Sequence, residues 1–209
     1  METKLSVEEA TNIVFSQLEN YTCWKFLKSQ RCLKKKIRDI ELIIFFYTSK
    51  WNQSYEYTGL NAEFVIVYKK LGKLPVQNHV AWVDYCPKTG DDTYWYDIST
   101  EDKLSSVIEE LESEIDKTAI KISNQLEEDY ESAIKDLLDN HFDEYHLKLD
   151  FVADILGMDS IIDKAHKIFT SLSDKEKQQV EDYLSGKMTS NWMYNPTNLK
   201  FIVDNKLYI

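Results

Sequence analysis

The stretch IELIIFFY, residues 40–47, decides the fold of this chain. In an extended chain its apolar side chains alternate between two faces, and both faces are apolar. One face carries Ile40, Leu42, Ile44 and Phe46, and the other carries Ile43, Phe45 and Tyr47. A strand of this kind is typical of the inside of a sheet that is covered on both sides. The sequence therefore predicts that residues 40–47 form a central strand.

Three further strands are predicted after it. The second alternates over Glu63 to Tyr68, the third covers His79 to Cys86, and the fourth covers Thr93 to Ile98. Turn-forming residues separate them, among them Thr58-Gly59 and the segment from Pro87 to Asp91. Because the connections are short, an antiparallel meander is the favoured arrangement.

Helical patterns lie on either side of these strands. Ser6 and Glu9 form a predicted capping box, so a helix is expected over Val7 to Tyr21, extended or restarted through Trp24 to Ser29. Ser99 is the predicted N-cap of a long helix whose apolar stripe runs from Leu104 to Leu126.

Shorter helical patterns continue beyond that stripe, and a second capping box stands at Ser173 to Glu176. The predicted fold class is α+β: an antiparallel four-stranded meander flanked by helices, followed by an α-helical C-terminal region. The expected domains are 1–126, with a helix, four strands and the long helix, and 127–209, a helical region packed on it or extending from it.

The sequence composition limits the cellular locations that can be expected for this protein. The longest apolar run, Leu42 to Tyr47, is far shorter than the roughly 20 residues that span a bilayer. The N-terminus lacks the apolar core of a signal peptide. Cys23, Cys32 and Cys86 are odd in number and lack a CxxC spacing, which speaks against a disulfide framework. We expect a cytoplasmic protein with no membrane partner.

Charge is unevenly distributed along the chain. The net charge is −11, while residues 101–160 carry 18 acidic and 5 basic side chains. Such an excess suits a basic partner protein, because complementary fields raise association rates. Acidic side chains that merely solvate long helices would give the same composition.

A basic run precedes the strands. It contains seven cations and no acidic residue: Lys25, Lys28, Arg31, Lys34, Lys35, Lys36 and Arg38. If Trp82 and Trp95 were exposed on the neighbouring sheet, they could stack nucleic-acid bases while the cations hold phosphates. Two other interpretations stay open: large aromatics in strands are usually core, and the basic run could pair with the acidic helices of the same chain.

Metal binding has one weak candidate site. If His146, Asp150 and Asp154 lay on one helix they would share a face at i, i+4 and i+8, and imidazole with carboxylates can hold a divalent ion. The HExxH spacing is missing, and a solvated acidic face explains the same residues. No phosphate-cradling loop, nucleophile elbow or cofactor motif is present, so no cofactor is expected and a non-catalytic protein is favoured over an enzyme.

Several segments, read in order, carry a resemblance to a known family. They are Phe26-Leu27-Lys28, Cys32-Leu33-Lys34-Lys35, Glu63-Phe64-Val65-Ile66, His79-Val80-Ala81-Trp82 and Tyr94-Trp95-Tyr96-Asp97-Ile98. Over about residues 10–125 the chain resembles the bacterial domain-of-unknown-function 4304 family. Cys32-Leu33 stands where that family tends to have Gly-Phe, and Tyr94-Trp95 stands for its Trp pair. The resemblance implies an α+β fold and a bacterial cytosolic setting, and it brings no catalytic residues.

The functional hypothesis follows from charge and from this resemblance. We expect a non-catalytic module that binds another macromolecule, of the immunity or inhibitor type, with a basic protein as its partner. The alternative is an RNA- or DNA-associated module that uses the basic run and the aromatic sheet. A metal-dependent enzyme is the third hypothesis.

Overall fold

The computed structural model describes residues 3–87, 95–187 and 197–208. Its contacts divide the chain into two compact units. The first comprises Met1–Ala133 with Glu144–His146, and the second comprises Ile134–Asp143 with Leu147–Ile209.

The first unit is built on an antiparallel sheet. Its strands are β1 (Lys25–Leu27), β2 (Cys32–Ile37), β3 (Ile40–Thr48), β4 (Gly59–Tyr68), β5 (His79–Tyr85) and β6 (Tyr96–Asp97). Five of them lie in the order β1-β2-β3-β4-β5, so each strand pairs with its neighbour in sequence, and β6 pairs with the start of β4. The predicted α+β meander is confirmed, with β3 at its centre, and the sheet is larger than the predicted four strands.

Helices in the first unit come before, within and after the sheet. They are α1 (Val7–Thr22), the short α2 (Pro75–Asn78), α3 (Glu101–Ile115), α4 (Lys121–Glu128) and α5 (Tyr130–Asn140), in which the division between the units falls. A wider π-helical turn, Asp116–Ile120, joins α3 to α4. The apolar stripe from Leu104 to Leu126 is buried along this length, as the sequence predicts.

Two helix boundaries differ from the sequence prediction. The extension of α1 toward Ser29 is wrong, because Cys23 adopts a left-handed conformation with φ 56° and ends the helix before β1. The N-cap of α3 is Thr100, whose hydroxyl accepts from the Lys103 N–H, whereas the predicted cap Ser99 donates its own N–H to Asp97.

One sheet face carries the main apolar layer under the helices. Phe15 of α1 stacks on Phe26 of β1 at 4.8 Å and lies 5.1 Å from Phe46 of β3. Tyr85 of β5 is hydrogen-bonded to Thr118 of the π-helical turn at 2.5 Å. The helices before and after the sheet are therefore both anchored to this face.

The opposite face carries a second, smaller apolar cluster. Its buried members are Cys32, Ile43, Val65 and Val67, and the partly buried Leu27, Phe45 and Trp82 pack against them. The apolar character of both sides of residues 40–47 is thus used on both faces of the sheet.

The second unit is helical. It contains α6 (Leu149–Leu156), α7 (Ile162–Thr170), α8 (Asp174–Leu184) and α9 (Thr197–Asp204), with a 3₁₀ turn at Met158–Ile161. Val180, Leu199 and Val203 form its small buried cluster. The predicted capping box of Ser173 and Glu176 opens α8. Within the described residues no helix has the length and apolarity needed to cross a membrane.

Candidate functional site

The basic run forms the first hairpin of the sheet. Lys25 lies in β1, Lys28 and Arg31 in the β1–β2 turn, Lys34, Lys35 and Lys36 in β2, and Arg38 in the β2–β3 turn. Side chains alternate along β2, so Lys34 and Lys36 lie on the face opposite to Lys35. The hairpin therefore divides the seven cations between different surfaces.

Lys34 and Lys35 form ion pairs within the first unit, and Arg38 lies over an aromatic ring. Lys34 Nζ lies 2.8 Å from Glu41 Oε2, and Lys35 Nζ lies 2.9 Å from Glu127 Oε1 of α4. The Arg38 guanidinium lies 4.6 Å from the ring centre of Tyr130. Pairing of the basic run inside the chain thus accounts for part of it, although only Glu127 belongs to the acidic helices.

Glu41 is the most enclosed acidic group in this network. Its side chain is 10% exposed and contacts both Lys34 and Lys69 at 2.8 Å. Burial alone would raise its pKa, but the hydrogen bonds from the two lysines outweigh burial and lower it. Glu41 and Lys34 therefore form an ion pair on the sheet face that carries the smaller apolar cluster.

The two predicted tryptophans are half-buried. One face of the Trp82 indole stacks on His146 at 5.3 Å, and the backbone N–H of Trp82 donates to the Tyr145 backbone carbonyl at 2.8 Å. Trp95 comes just before β6. The structure does not gather them with the basic run into a single exposed platform.

The predicted helical metal face is wrong. His146 lies in the turn before α6 with φ 45°, so only Asp150 and Asp154 belong to that helix. Burial raises the pKa of Asp150, and the nearby Lys148 opposes this effect. Among residues 3–87, 95–187 and 197–208, no three His, Cys, Asp or Glu side chains are grouped as metal ligands.

The solvent side of α3 carries an acidic stripe. We define it as Asp102, Glu109, Glu112 and Asp116, which recur at seven, three and four residues and so share one face. The Tyr21 hydroxyl donates to Asp116 at 2.6 Å, a bond that raises the pKa of Tyr21 to about 12. Burial, and then the carboxylates of Asp116 and Glu109, raise the pKa of Glu112.

Lys103 of α3 and Lys117 of the π-helical turn each pair with a carboxylate outside this stripe. Lys103 pairs with Asp97 at 2.7 Å, and Lys117 pairs with Glu114 at 3.1 Å. An ordinary solvated helix face interleaves opposite charges at i±3 and i±4, because such pairs stabilise the helix. On this face like charges are crowded instead.

A cleft of about 640 Å³ runs along α1. Its helix wall follows one side of α1 from Val7 and Glu8 to Glu19, and its other wall comes from β1, the β1–β2 turn, Thr48 and Ser54. Phe15 and Phe26 form its apolar floor. Lys28 and Arg31 of the basic run therefore belong to a concave site that the sequence did not predict.

The turn fixes Arg31 at the cleft. Arg31 has φ 48°, its carbonyl accepts from the Phe46 N–H at 2.9 Å, and its Nη1 donates to Thr48 Oγ1 at 3.0 Å. The helix residues and Ser54 of this site carried no sequence signal, because they come together only when β1 folds back beside α1.

The chain was compared with protein-family models, curated proteins and solved structures, and no match was found in any of the three.

Proposed function

We propose that this chain is a non-catalytic binding module of the immunity or inhibitor type, and that it associates with a basic partner protein through the acidic stripe of α3. The observation that carries the proposal is the crowding of like charge along that stripe. Burial raises the pKa of Glu112, and the carboxylates of Asp116 and Glu109 raise it further, so part of the shift reflects a like-charge repulsion that the folded chain retains. A basic partner would remove it.

The geometry of α3 suits such a partner. From Asp102 to Asp116 the stripe extends about 21 Å along the helix, since each residue advances the axis by about 1.5 Å. Asp102, Glu109 and Asp116 are exposed. A row of carboxylates of this length matches a row of Lys or Arg side chains on another protein and would accelerate their encounter. We place this activity in the bacterial cytoplasm, as the family resemblance implies.

The test is a comparison of two neutralised proteins. One carries Asp102→Asn, Glu109→Gln and Glu112→Gln, and the matched control carries Asp159→Asn, Asp163→Asn and Glu181→Gln, all exposed positions of the second unit. Both lose three negative charges. Each protein is immobilised, exposed to source-cell extract at low salt and eluted with a salt gradient, and the captured protein is then purified and titrated.

The stripe variant should lose the partner or release it at lower salt, while the control should behave as wild type. Equal retention by wild type and stripe variant would remove the stripe as the binding surface. Recovery of no basic protein by wild type would remove the proposal itself.

The alternative of an RNA- or DNA-associated module has less support. Lys34, Lys35 and Arg38 already have partners, and one face of Trp82 is stacked on His146. We expect no measurable binding of single-stranded RNA or duplex DNA at low salt, where phosphate contacts are strongest. Salt-sensitive binding that disappears with Lys25→Gln and Lys36→Gln would revive this alternative.

A further inference from the structure

We propose that the cleft beside α1 binds a short zwitterionic peptide with a large apolar or aromatic side chain. This site is separate from the acidic stripe and goes beyond the proposed function. The cleft has an apolar floor, cations on one wall, carboxylates on the other, and the volume of a small-ligand site.

The floor offers an aromatic surface. Phe15 is 8% exposed and is held between Phe26 and Phe46, whereas Phe26 itself is only half-buried. Aromatic pairs favour offset or edge contacts, and a ring that enters the cleft could continue the Phe15–Phe26 stack. An apolar side chain there would also remove the exposed part of Phe26 from water.

The sheet wall offers a carboxylate site. The hydrogen bond of Arg31 to neutral Thr48 leaves most of the five guanidinium donors free for another partner. Within the described residues neither Arg31 nor Lys28 forms an ion pair. A planar guanidinium held by its backbone turn is suited to bidentate binding of a peptide C-terminal carboxylate.

The helix wall offers the opposite charge. Glu8 is exposed and has no ion pair among the described residues, and Glu19 uses one oxygen to accept from the Phe26 N–H at 2.9 Å. Charges of opposite sign thus stand on the two walls without pairing to each other. A simple anion would meet Arg31 but would also face two carboxylates, whereas a zwitterion satisfies both walls.

The cleft volume sets the ligand size. About 640 Å³ lies inside the range of about 300–1,000 Å³ that is typical of small-ligand sites. A dipeptide or tripeptide fits within this volume and carries an ammonium group, a carboxylate and apolar side chains. We therefore assign the ammonium group of the ligand to Glu8, its carboxylate to Arg31 and Lys28, and its apolar side chain to Phe15 and Phe26.

The experiment uses the dipeptide Phe-Leu with the full chain labelled with ¹⁵N. Amide shifts are followed during titration, and the titration is repeated with N-acetylated Phe-Leu and with Phe-Leu amide, which lack one end charge each. Phe-Leu should shift the amides of Phe26, Lys28 and Arg31. Each blocked peptide should bind about tenfold more weakly, as expected for loss of one hydrogen-bonded charge.

Variants identify the wall that each charge contacts. Arg31→Gln should weaken Phe-Leu binding about tenfold and should remove the difference between Phe-Leu and its amide. Glu8→Gln should weaken Phe-Leu binding about tenfold and should remove the difference between Phe-Leu and its acetylated form. Lys36→Gln, which removes a charge from the same hairpin outside the cleft, should bind Phe-Leu as wild type does.

Three outcomes would overturn the assignment. They are no shift at millimolar Phe-Leu, equal binding of the free and blocked peptides, and an equal loss of affinity in the Lys36→Gln control. Glu8, Arg31 and Lys36 are all exposed, so their variants should keep the wild-type melting temperature, and this measurement separates loss of binding from loss of fold.

Discussion

At the scale of single residues, Glu41 shows how a buried charge is kept in a strand. It occupies the central strand, where its neighbours in sequence are apolar, and it is compensated by Lys34 of β2 and by Lys69, which directly follows β4. The sequence places Glu41 in an apolar strand but does not name its partners, since Lys69 lies 28 residues away and approaches only through the β3–β4 pairing.

Replacing Glu41 by Gln should destabilise the protein by about 1–3 kcal/mol at neutral pH, because two lysines then lose a hydrogen-bonded counter-charge. Since the folded pKa of Glu41 lies below its unfolded value, its contribution is complete above the unfolded pKa. The contribution is lost as the pH falls through the folded pKa. Urea unfolding at pH 7 and in acid measures both effects.

The matched control is Asp39→Asn, which removes an exposed carboxylate paired with Lys70 at 2.8 Å. Exposed pairs contribute little, so this variant should stay close to wild type. If both variants lose the same stability, or if the loss in Glu41→Gln does not shrink in acid, the assigned role of Glu41 is wrong.

Positive φ values mark residues whose conformation the sequence could not indicate. Cys23, Arg31 and His146 all adopt left-handed backbone without being Gly. Two of them contradict a sequence prediction, because α1 ends at Cys23 and His146 lies outside the helix that was predicted to bind a metal. Arg31 lies at the cleft, which the sequence did not predict. Non-glycine residues in this region are fixed by surrounding contacts, which the local sequence does not show.

At the scale of elements, α3 and its π-helical turn serve two surfaces. Their inner stripe follows the predicted helical period and is buried. Thr118 in the turn donates to the Glu114 carbonyl at 2.6 Å and accepts from the buried Tyr85 hydroxyl. The amphipathic period was sufficient to predict the helix, whereas a change of winding inside it leaves no mark in the apolar pattern.

Thr118→Val should destabilise the protein by about 1–3 kcal/mol. Tyr85 is only 2% exposed, and its hydroxyl would be left without its acceptor. Tyr85→Phe alone should cost less, about 0.5–1.5 kcal/mol, since Thr118 keeps its bond to Glu114. Urea unfolding of both single variants and the double variant gives the coupling. Purely additive losses would show that the two hydroxyls do not depend on each other.

Glu112→Gln in the acidic stripe should stabilise the protein, in contrast to Thr118→Val and Tyr85→Phe. A raised folded pKa means that the charged carboxylate disfavours the folded state, so stability falls as the pH rises through the carboxyl range. Removing the charge should stabilise the protein by about 0.2–0.5 kcal/mol at pH 7, the usual size of one like-charge helix pair. Stabilisation in thermal unfolding together with weaker partner binding would separate function from folding at this residue.

The β1–β2 hairpin is the element that the sequence least revealed. In KFL and CLKKKI, residues 25–27 and 32–37, charged and apolar residues do not alternate regularly. Lysines can occupy strand positions here because their stems lie along the sheet while their ammonium groups reach Glu41 and Glu127. Both partners are distant in sequence, so neither the hairpin nor the cleft it closes could be inferred from local pattern.

At the scale of the whole molecule, net charge sets the response to salt. With a net charge of −11, self-repulsion opposes the compact state. Raising NaCl from about 0.01 to 0.15 M shortens the screening length from about 30 to 8 Å, so the unfolding temperature should rise. Calorimetry at the two salt concentrations measures the shift.

The variant with three neutralised stripe residues should show a smaller salt response than wild type. A larger response in that variant, or a fall of the wild-type unfolding temperature with salt, would contradict a dominant role of self-repulsion. This control also tests whether the stripe concentrates the repulsion or shares it evenly with the remaining acidic residues.

The fold class followed from the sequence because it depends on periods: two for the strands and 3.6 for the helices. Residues 40–47 indicated the central strand, and the stripe from Leu104 to Leu126 indicated the long helix. The functional surfaces could not all be predicted from the sequence in the same way. The acidic stripe is local to α3 and its π-helical turn and so could be found from the sequence, whereas the cleft combines α1, the β1–β2 hairpin, the last residue of β3 and Ser54 of a later turn.

The bond from the Phe26 N–H to Glu19 has a consequence for self-association. In the edge strand β1, the backbone N–H of Phe26 donates to the Glu19 side chain. In the other edge strand, β5, the backbone N–H of Trp82 donates to the Tyr145 carbonyl. Edge strands with unpaired backbone groups can pair with strands of other copies and lead toward fibrils. Because one backbone N–H on each edge strand is already hydrogen-bonded, the chain has less capacity to act as a template for polymerisation.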